Sequence, residues 1–104
     1  MEIKKITSDE DFKELIVNGE TALMISKSGC PFCDKAKPWL EDLSKEFQTR
    51  EIALVNKDDI PKLMEVFQVQ MYPTFVLIKD GVVIDTFFGD TQEDKVKSFM
   101  SKNI

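Results

Sequence analysis

No histidine occurs anywhere in this 104-residue chain, and cysteine occurs only twice. A closed structural zinc site takes four Cys or His ligands, so one built here needs carboxylates or a second chain to complete it. Nothing in the sequence is repeated or low in complexity. No apolar run exceeds four or five residues, far short of the roughly 20 that cross a bilayer as a helix. The opening Met1-Glu2-Ile3-Lys4-Lys5 has no apolar h-region, so no signal peptide is expected and the reducing cytoplasm is the expected compartment. Positive charge is also short. Lys and Arg number 14 against 19 Asp and Glu, a net charge of -5, which argues against nucleic acid or an anionic membrane as partner.

Both cysteines fall in one stretch, Lys27-Ser28-Gly29-Cys30-Pro31-Phe32-Cys33. An apolar run suited to a buried strand, Ala22-Leu23-Met24-Ile25, precedes it. Ala36, Trp39, Leu40, Leu43 and Phe47 follow at the spacing of one helical face. Proline suits the first position of a helix, so Pro31 makes Cys30 the expected N-cap. A helix N-terminus carries partial positive charge and free N–H groups, which favour a thiolate. Cys30 is therefore expected to have a lowered pKa and an exposed sulfur. Cys33, one turn inward on the same face, can close a disulfide on Cys30 and should be less exposed. Three plainer readings stand beside this redox reading: a structural disulfide, a metal site, and two inert thiols. So short a disulfide loop removes only roughly 2 kcal/mol of unfolded-state entropy, the weak end of the range.

The length suits one domain spanning residues 1–104. Residues 2–7 suit a short strand. Ser8 with Asp11 reads as a capping box for a helix with Phe12, Leu15 and Ile16 inward, ended by Asn18-Gly19. A strand at 21–26 leads into the cysteine helix, which runs to about residue 47 with Pro38 inside it. Residues 52–55 read as a buried strand. Asp59 is the expected cap of a helix with Pro61 in its first turn and Ile60, Leu63, Met64 and Phe67 on its inner face. Residues 74–78 form a further strand, and Asp80-Gly81 is a hairpin signal joining it to Val82–Phe88. Thr91 with Asp94 is the expected cap of a last helix facing inward through Val96, Phe99 and Met100. The order βαβαβαββα describes an α/β chain with a central mixed sheet, its first pairs parallel, covered by helices on both faces. Sites in such sheets form at the carboxyl ends of strands, where Cys30 falls.

With these elements placed, the chain resembles the thioredoxin-fold oxidoreductases over nearly its whole length. The matching residues are Cys30-Pro31-Phe32-Cys33, Pro38, Met71-Tyr72-Pro73-Thr74-Phe75, Lys79-Asp80-Gly81 and Gly89. The resemblance implies a thioredoxin fold and a cis Pro73 lying against the dithiol. It also implies a shallow apolar docking patch around Cys30, made by Pro31, Phe32, Met71, Tyr72 and Gly89. The chain departs from the thioredoxin pattern at four points. Gly29 replaces a tryptophan, and Pro31-Phe32 replaces Gly-Pro. Met24 stands where a buried aspartate is usual, and Leu54 where its lysine partner is usual. The dithiol loop itself is similar to the Cys-Pro-Tyr-Cys of glutaredoxins, in which a lysine matching Lys27 holds the glutathione carboxylate. The Gly-Gly-x-Asp of that family is reduced here to Gly89-Asp90.

The expected function is thiol–disulfide exchange on protein disulfides, with Cys30 attacking and Cys33 resolving the mixed disulfide. No bound cofactor and no metal are expected. Electrons are expected from thioredoxin reductase or glutathione, and the protein is expected to be a monomer. The alternatives are a glutathione-linked glutaredoxin-type reductase and a non-enzymatic binding module on the same fold, including a dimer holding an iron–sulfur cluster through Cys30.

Overall fold

The computed structural model describes residues 3–88 and 92–104; within the third helix the side chains of Leu63, Met64 and Val66 lie outside the description. The elements are β1 (Lys4–Ile6), α1 (Asp9–Ile16), β2 (Glu20–Ser26), α2 (Pro31–Glu46), β3 (Arg50–Asn56), α3 (Pro61–Phe67), β4 (Thr74–Lys79), β5 (Val82–Phe88) and α4 (Glu93–Met100). They form one five-stranded sheet in the order β1-β3-β2-β4-β5. β3 runs parallel to β1 and β2, while β4 is antiparallel to both β2 and β5. The mixed sheet that the element order suggests is present, in the thioredoxin fold that the resemblance implies.

Strand alternation sorts the central strands onto two cores. Ala22, Met24, Ile52, Phe75 and Leu77 face α2 and α4, in the cluster that also holds Cys30, Cys33 and Trp39. Leu23, Ile25, Ala53, Val55, Val76 and Ile78 face the opposite way, onto Phe12 of α1 and Phe67 at the end of α3. The Phe12 and Phe67 rings meet edge to face, their centroids 5.8 Å apart. β2 is buried on both faces, which is why its sequence reads as a continuous apolar run.

The turn chemistry follows the residues closely. Asp80 and Gly81 have φ of 50° and 82°, the paired left-handed values of a type I′ hairpin. The Asp80 carboxylate accepts from the Gly19 N–H at 2.7 Å, and the Asp80 N–H donates to the Gly19 carbonyl at 2.9 Å. The turn after α1 is thereby fastened to the hairpin 61 residues later. Ser8 caps α1 by accepting from the Asp11 N–H at 3.1 Å.

Two expected caps fall elsewhere. Pro61 is the first residue of α3, so Ile60 precedes the helix directly and Asp59 belongs to the turn before it, where its N–H donates to the Asn56 carbonyl. The Asn56 side chain closes that turn by accepting from the Asp58 N–H at 2.9 Å. The N-cap of α4 is Gln92, while Thr91 and Gly89 lie outside the described residues. Of the expected inner face of α3, Ile60 is fully buried and Phe67 packs on the α1-side core.

Candidate active site

The dithiol sits where β2 hands over to α2. β2 ends at Ser26, and residues 27–29 reverse the chain before Cys30 opens the helix. Gly29 has φ of 70°, a left-handed conformation that side-chain-bearing residues rarely adopt, although a Cβ there would meet nothing within 4 Å. The backbone angle, rather than a lack of space, is therefore what favours glycine at this position. The loop is fastened to the end of β3: Asn56 Nδ2 donates to Ser28 Oγ at 3.3 Å, and the Lys57 N–H donates to the Ser26 carbonyl at 2.8 Å.

Cys30 is the N-cap of α2, with Pro31 in the first turn and the Cys33 N–H donating to Cys30 Sγ at 3.2 Å. The sulfur thus occupies the position that a serine or aspartate oxygen takes in an ordinary cap, beside the positive end of a 16-residue helix. Cys30 and Cys33 are joined as a disulfide, their Cα atoms 5.3 Å apart. The expected exposure of Cys30 needs correction. In this oxidised state Cys30 is 4% exposed and Cys33 1%, so the difference has the expected sign but both residues belong to the core cluster. Bonding to the inward Cys33 holds the Cys30 sulfur down against that core.

Two large apolar side chains of the segments around the disulfide are exposed. Phe32 is 56% exposed and Met71 48%, so Met71 lines the surface and not the core. Pro31 is exposed as well. The Tyr72–Pro73 bond is cis, and Pro73 is buried. Thr74, the next residue, opens β4 as the register partner of Ile25 near the end of β2. That pairing brings the Tyr72-Pro73 segment level with the loop leading into Cys30. Thr74 Oγ1 donates to the Met71 carbonyl at 2.6 Å and braces the segment from within. The half-buried Tyr72 ring packs against both cores, and Lys27 Nζ stands 5.7 Å from its centroid.

The structure therefore brings Lys27, Pro31, Phe32, Met71, Tyr72 and Pro73 together with the two cysteines at one end of the sheet; Gly89 lies outside the described residues. Two supports of this site have no local signal in the sequence. Ser28 meets Asn56 across 28 positions, and Lys27 meets Tyr72 across 45. Only the strand pairing makes either one a neighbour.

A βαβαβαββα sheet with a disulfide-forming Cys-x-x-Cys at the N-terminus of its second helix defines the thioredoxin-fold thiol–disulfide oxidoreductases. Comparison with known proteins agrees. The thioredoxin family model matches residues 3–102. The thioredoxin of Chlamydia caviae is 33% identical over 92 residues, which cover 88% of this chain and 90% of that protein. The mitochondrial thioredoxin of Mus musculus is 33% identical over 97 residues, covering 90% of this chain; the match spans only 58% of the longer mouse protein. A solved structure of Plasmodium falciparum thioredoxin superposes with a TM-score of 0.87 at 24% identity, covering 93% of this chain and 95% of that one, which bears on the fold. The chain belongs to the thioredoxin family. The glutaredoxin reading suggested by Cys-Pro-Phe-Cys and Lys27 is not favoured.

Proposed function

We propose that this chain, acting as a single domain, reduces disulfide bonds in other proteins. The observation that carries the reading is the cap geometry, with Cys30 Sγ held at the N-terminus of α2 as acceptor of the Cys33 N–H. In the reduced protein the same N–H and helix end favour the Cys30 thiolate. That thiolate attacks one sulfur of the substrate disulfide. A Cys30–substrate bond forms, the substrate disulfide breaks, and the other substrate sulfur leaves as a thiolate. Cys33, deprotonated, then attacks the Cys30 sulfur and displaces the second substrate thiolate. Two electrons have passed from the dithiol to the substrate, and Cys30–Cys33 is left oxidised.

Docking is assigned to the apolar rim of Phe32 and Met71 together with Pro31 and Pro73. The backbone at Tyr72 lies just ahead of the first β2–β4 pair, which suits it to pair with an extended substrate segment in the manner of an added strand. Lys27, above the Tyr72 ring, is assigned to that same docking edge. Among the described residues, no helix is long and apolar enough to cross a membrane. We place the protein in the cytoplasm as a monomer, recharged by a thioredoxin reductase in preference to glutathione.

The test is insulin disulfide reduction, run once with NADPH and thioredoxin reductase and once with glutathione and its reductase. Faster turnover in the first arm is expected. Turnover confined to the glutathione arm and abolished by Lys27→Ala would replace this donor with glutathione, and absence of reduction in both arms would remove the reductase reading.

A further inference from the structure

A groove of about 450 Å³ runs between α2 and the β1 edge of the sheet, within the range of about 300–1,000 Å³ typical of small-molecule sites. Its floor is apolar, with Ile3 and Leu54 on the sheet side and Leu40 on the helix side. Leu54 is the register partner of Lys5, and alternation along the strand puts Ile3 on the same face as Lys5. The helix lining comes from positions 37, 40, 41, 44 and 45, a single stripe at helical spacing. The groove has a simple origin. On this face α4 packs toward β4 and α2 toward β3, so the groove opens beside α2 at the outermost strand, β1.

The charge at the groove runs against that of the chain. Acidic residues outnumber basic ones 19 to 14 overall, yet Lys5, Lys37 and Lys45 line the groove against Glu41 alone. Lys37 is held by Asp34 at 3.1 Å. Among the described residues neither Lys5 nor Lys45 forms an ion pair. An apolar floor rimmed by two uncommitted cations is complementary to a molecule with an apolar body and one negative head.

We propose that this groove binds an amphipathic monoanion, a carboxylate carried on an alkyl chain. The chain lies on Ile3, Leu40 and Leu54, and the carboxylate is met by the ammonium groups of Lys5 and Lys45 on their flexible stems. A multiply charged head such as a phosphate ester fits less well, because Lys37 is already neutralised and Glu41 opposes added negative charge. The site is separate from the thiol chemistry. With a rise of about 1.5 Å per residue, Lys37 and Lys45 lie roughly 10 and 22 Å along the helix from Cys30.

The probe is decanoate below its micellar concentration, titrated into the full chain and read by methyl NMR, with decanol as the uncharged comparison. Saturable shifts confined to the methyls of Ile3, Leu40 and Leu54 and their neighbours are expected, with decanol binding more weakly. Lys5→Glu combined with Lys45→Glu should weaken decanoate about tenfold, equivalent to about 1.4 kcal/mol, and Lys5→Arg with Lys45→Arg should retain it. Decanol binding as tightly as decanoate in the unaltered protein would overturn the proposal. So would an undiminished affinity in the charge-reversed variant, or shifts that are absent, unsaturable or centred elsewhere.

Discussion

Met24 on β2 and Leu54 on β3 are register partners, and both pack into the cluster that contains Cys33. Met24 is fully buried, and on its other side its register partner is Phe75. The two positions where thioredoxins usually carry a buried aspartate and its lysine are therefore neighbours here too, but both are apolar. The nearest carboxylate in sequence, Asp34, is exposed and tied to Lys37 at 3.1 Å. A titratable partner beneath the dithiol would make apparent pKa values belong to a coupled set of groups. With Met24 and Leu54 in place, the helix N-terminus remains as the main fixed influence on Cys30. The reduced protein is expected to show a single-step thiolate titration at Cys30, with a pKa below the free-thiol value of about 8.5. Thiolate absorbance against pH checks this, and two coupled steps near neutrality would contradict it.

The same pair makes a stability prediction. Met24→Asp buries a carboxylate between Leu54 and Phe75. A burial-driven pKa rise of about 3 units costs about 4 kcal/mol at neutral pH. Urea midpoints at pH 7 should drop accordingly. Adding Leu54→Lys should return part of the loss, since the ammonium would stand at the partner position.

Cys30 and Cys33 should separate cleanly by role. Cys33→Ser leaves the capping thiol in place without its resolving partner, so covalent mixed disulfides with protein substrates should accumulate and appear on non-reducing gels. Cys30→Ser should trap nothing and reduce nothing. Equal alkylation rates of the two thiols in the reduced unaltered protein would contradict this division.

Arg50 shows where the sequence stops being informative. The cysteine helix could be read from Pro31 and the spacing of Ala36, Trp39, Leu40 and Leu43, and the hairpin from Asp80-Gly81, because each rests on local backbone preference. Arg50 carries no such signal, yet it is 3% exposed at the start of β3. It donates to Glu20 Oε1 at 2.8 Å, to the Met100 carbonyl at 2.7 Å and to the Lys102 carbonyl at 2.6 Å, with its guanidinium 4.9 Å from the Phe47 ring centroid. Its hydrogen-bond partners stand 30, 50 and 52 positions away, so only the folded chain assembles them. The helix starts at Pro61 and Glu93 lie one residue further on than caps at Asp59 and Thr91 require, a shift that local capping preference does not reveal. Arg50→Leu keeps most of the buried volume but leaves the end of α4 and the Glu20 carboxylate unpaired. A loss of about 2–4 kcal/mol is expected in chemical denaturation.

Asp85 on β5 gives the acid side of the stability curve a defined contributor. Lys102 Nζ donates to its carboxylate at 2.7 Å, and the Thr86 N–H donates at 2.8 Å. The Lys102 hydrogen bond first, and the Thr86 N–H second, hold its pKa below the ordinary value of 3.8. A depressed folded-state pKa means that unfolding takes up a proton in this range. The stabilisation is thus full above pH 3.8 and is lost as pH falls through the lower folded value. Lys102→Met should narrow the stability difference between pH 5 and pH 2.5, measured by thermal unfolding, while an unchanged difference would show that solvent screens the pair out.

Phe32, in the first turn of α2, and Met71, in the loop before β4, are exposed apolar side chains on the two segments that meet at the dithiol end of the sheet. Neither has a titratable side chain, and the Cys30 sulfur accepts its hydrogen bond from the Cys33 N–H. If they serve as docking surface, their loss should remove binding shared by the bound substrate and the transition state, which raises KM and leaves kcat in place. Replacing both by serine is expected to raise KM for insulin about tenfold, equivalent to about 1.4 kcal/mol of lost apolar contact. The rate of Cys30 alkylation by a small reagent such as iodoacetamide should stay the same, because the cap geometry is untouched. A drop in kcat with KM unchanged, or slowed alkylation, would place Phe32 and Met71 in the support of the dithiol instead of in substrate docking.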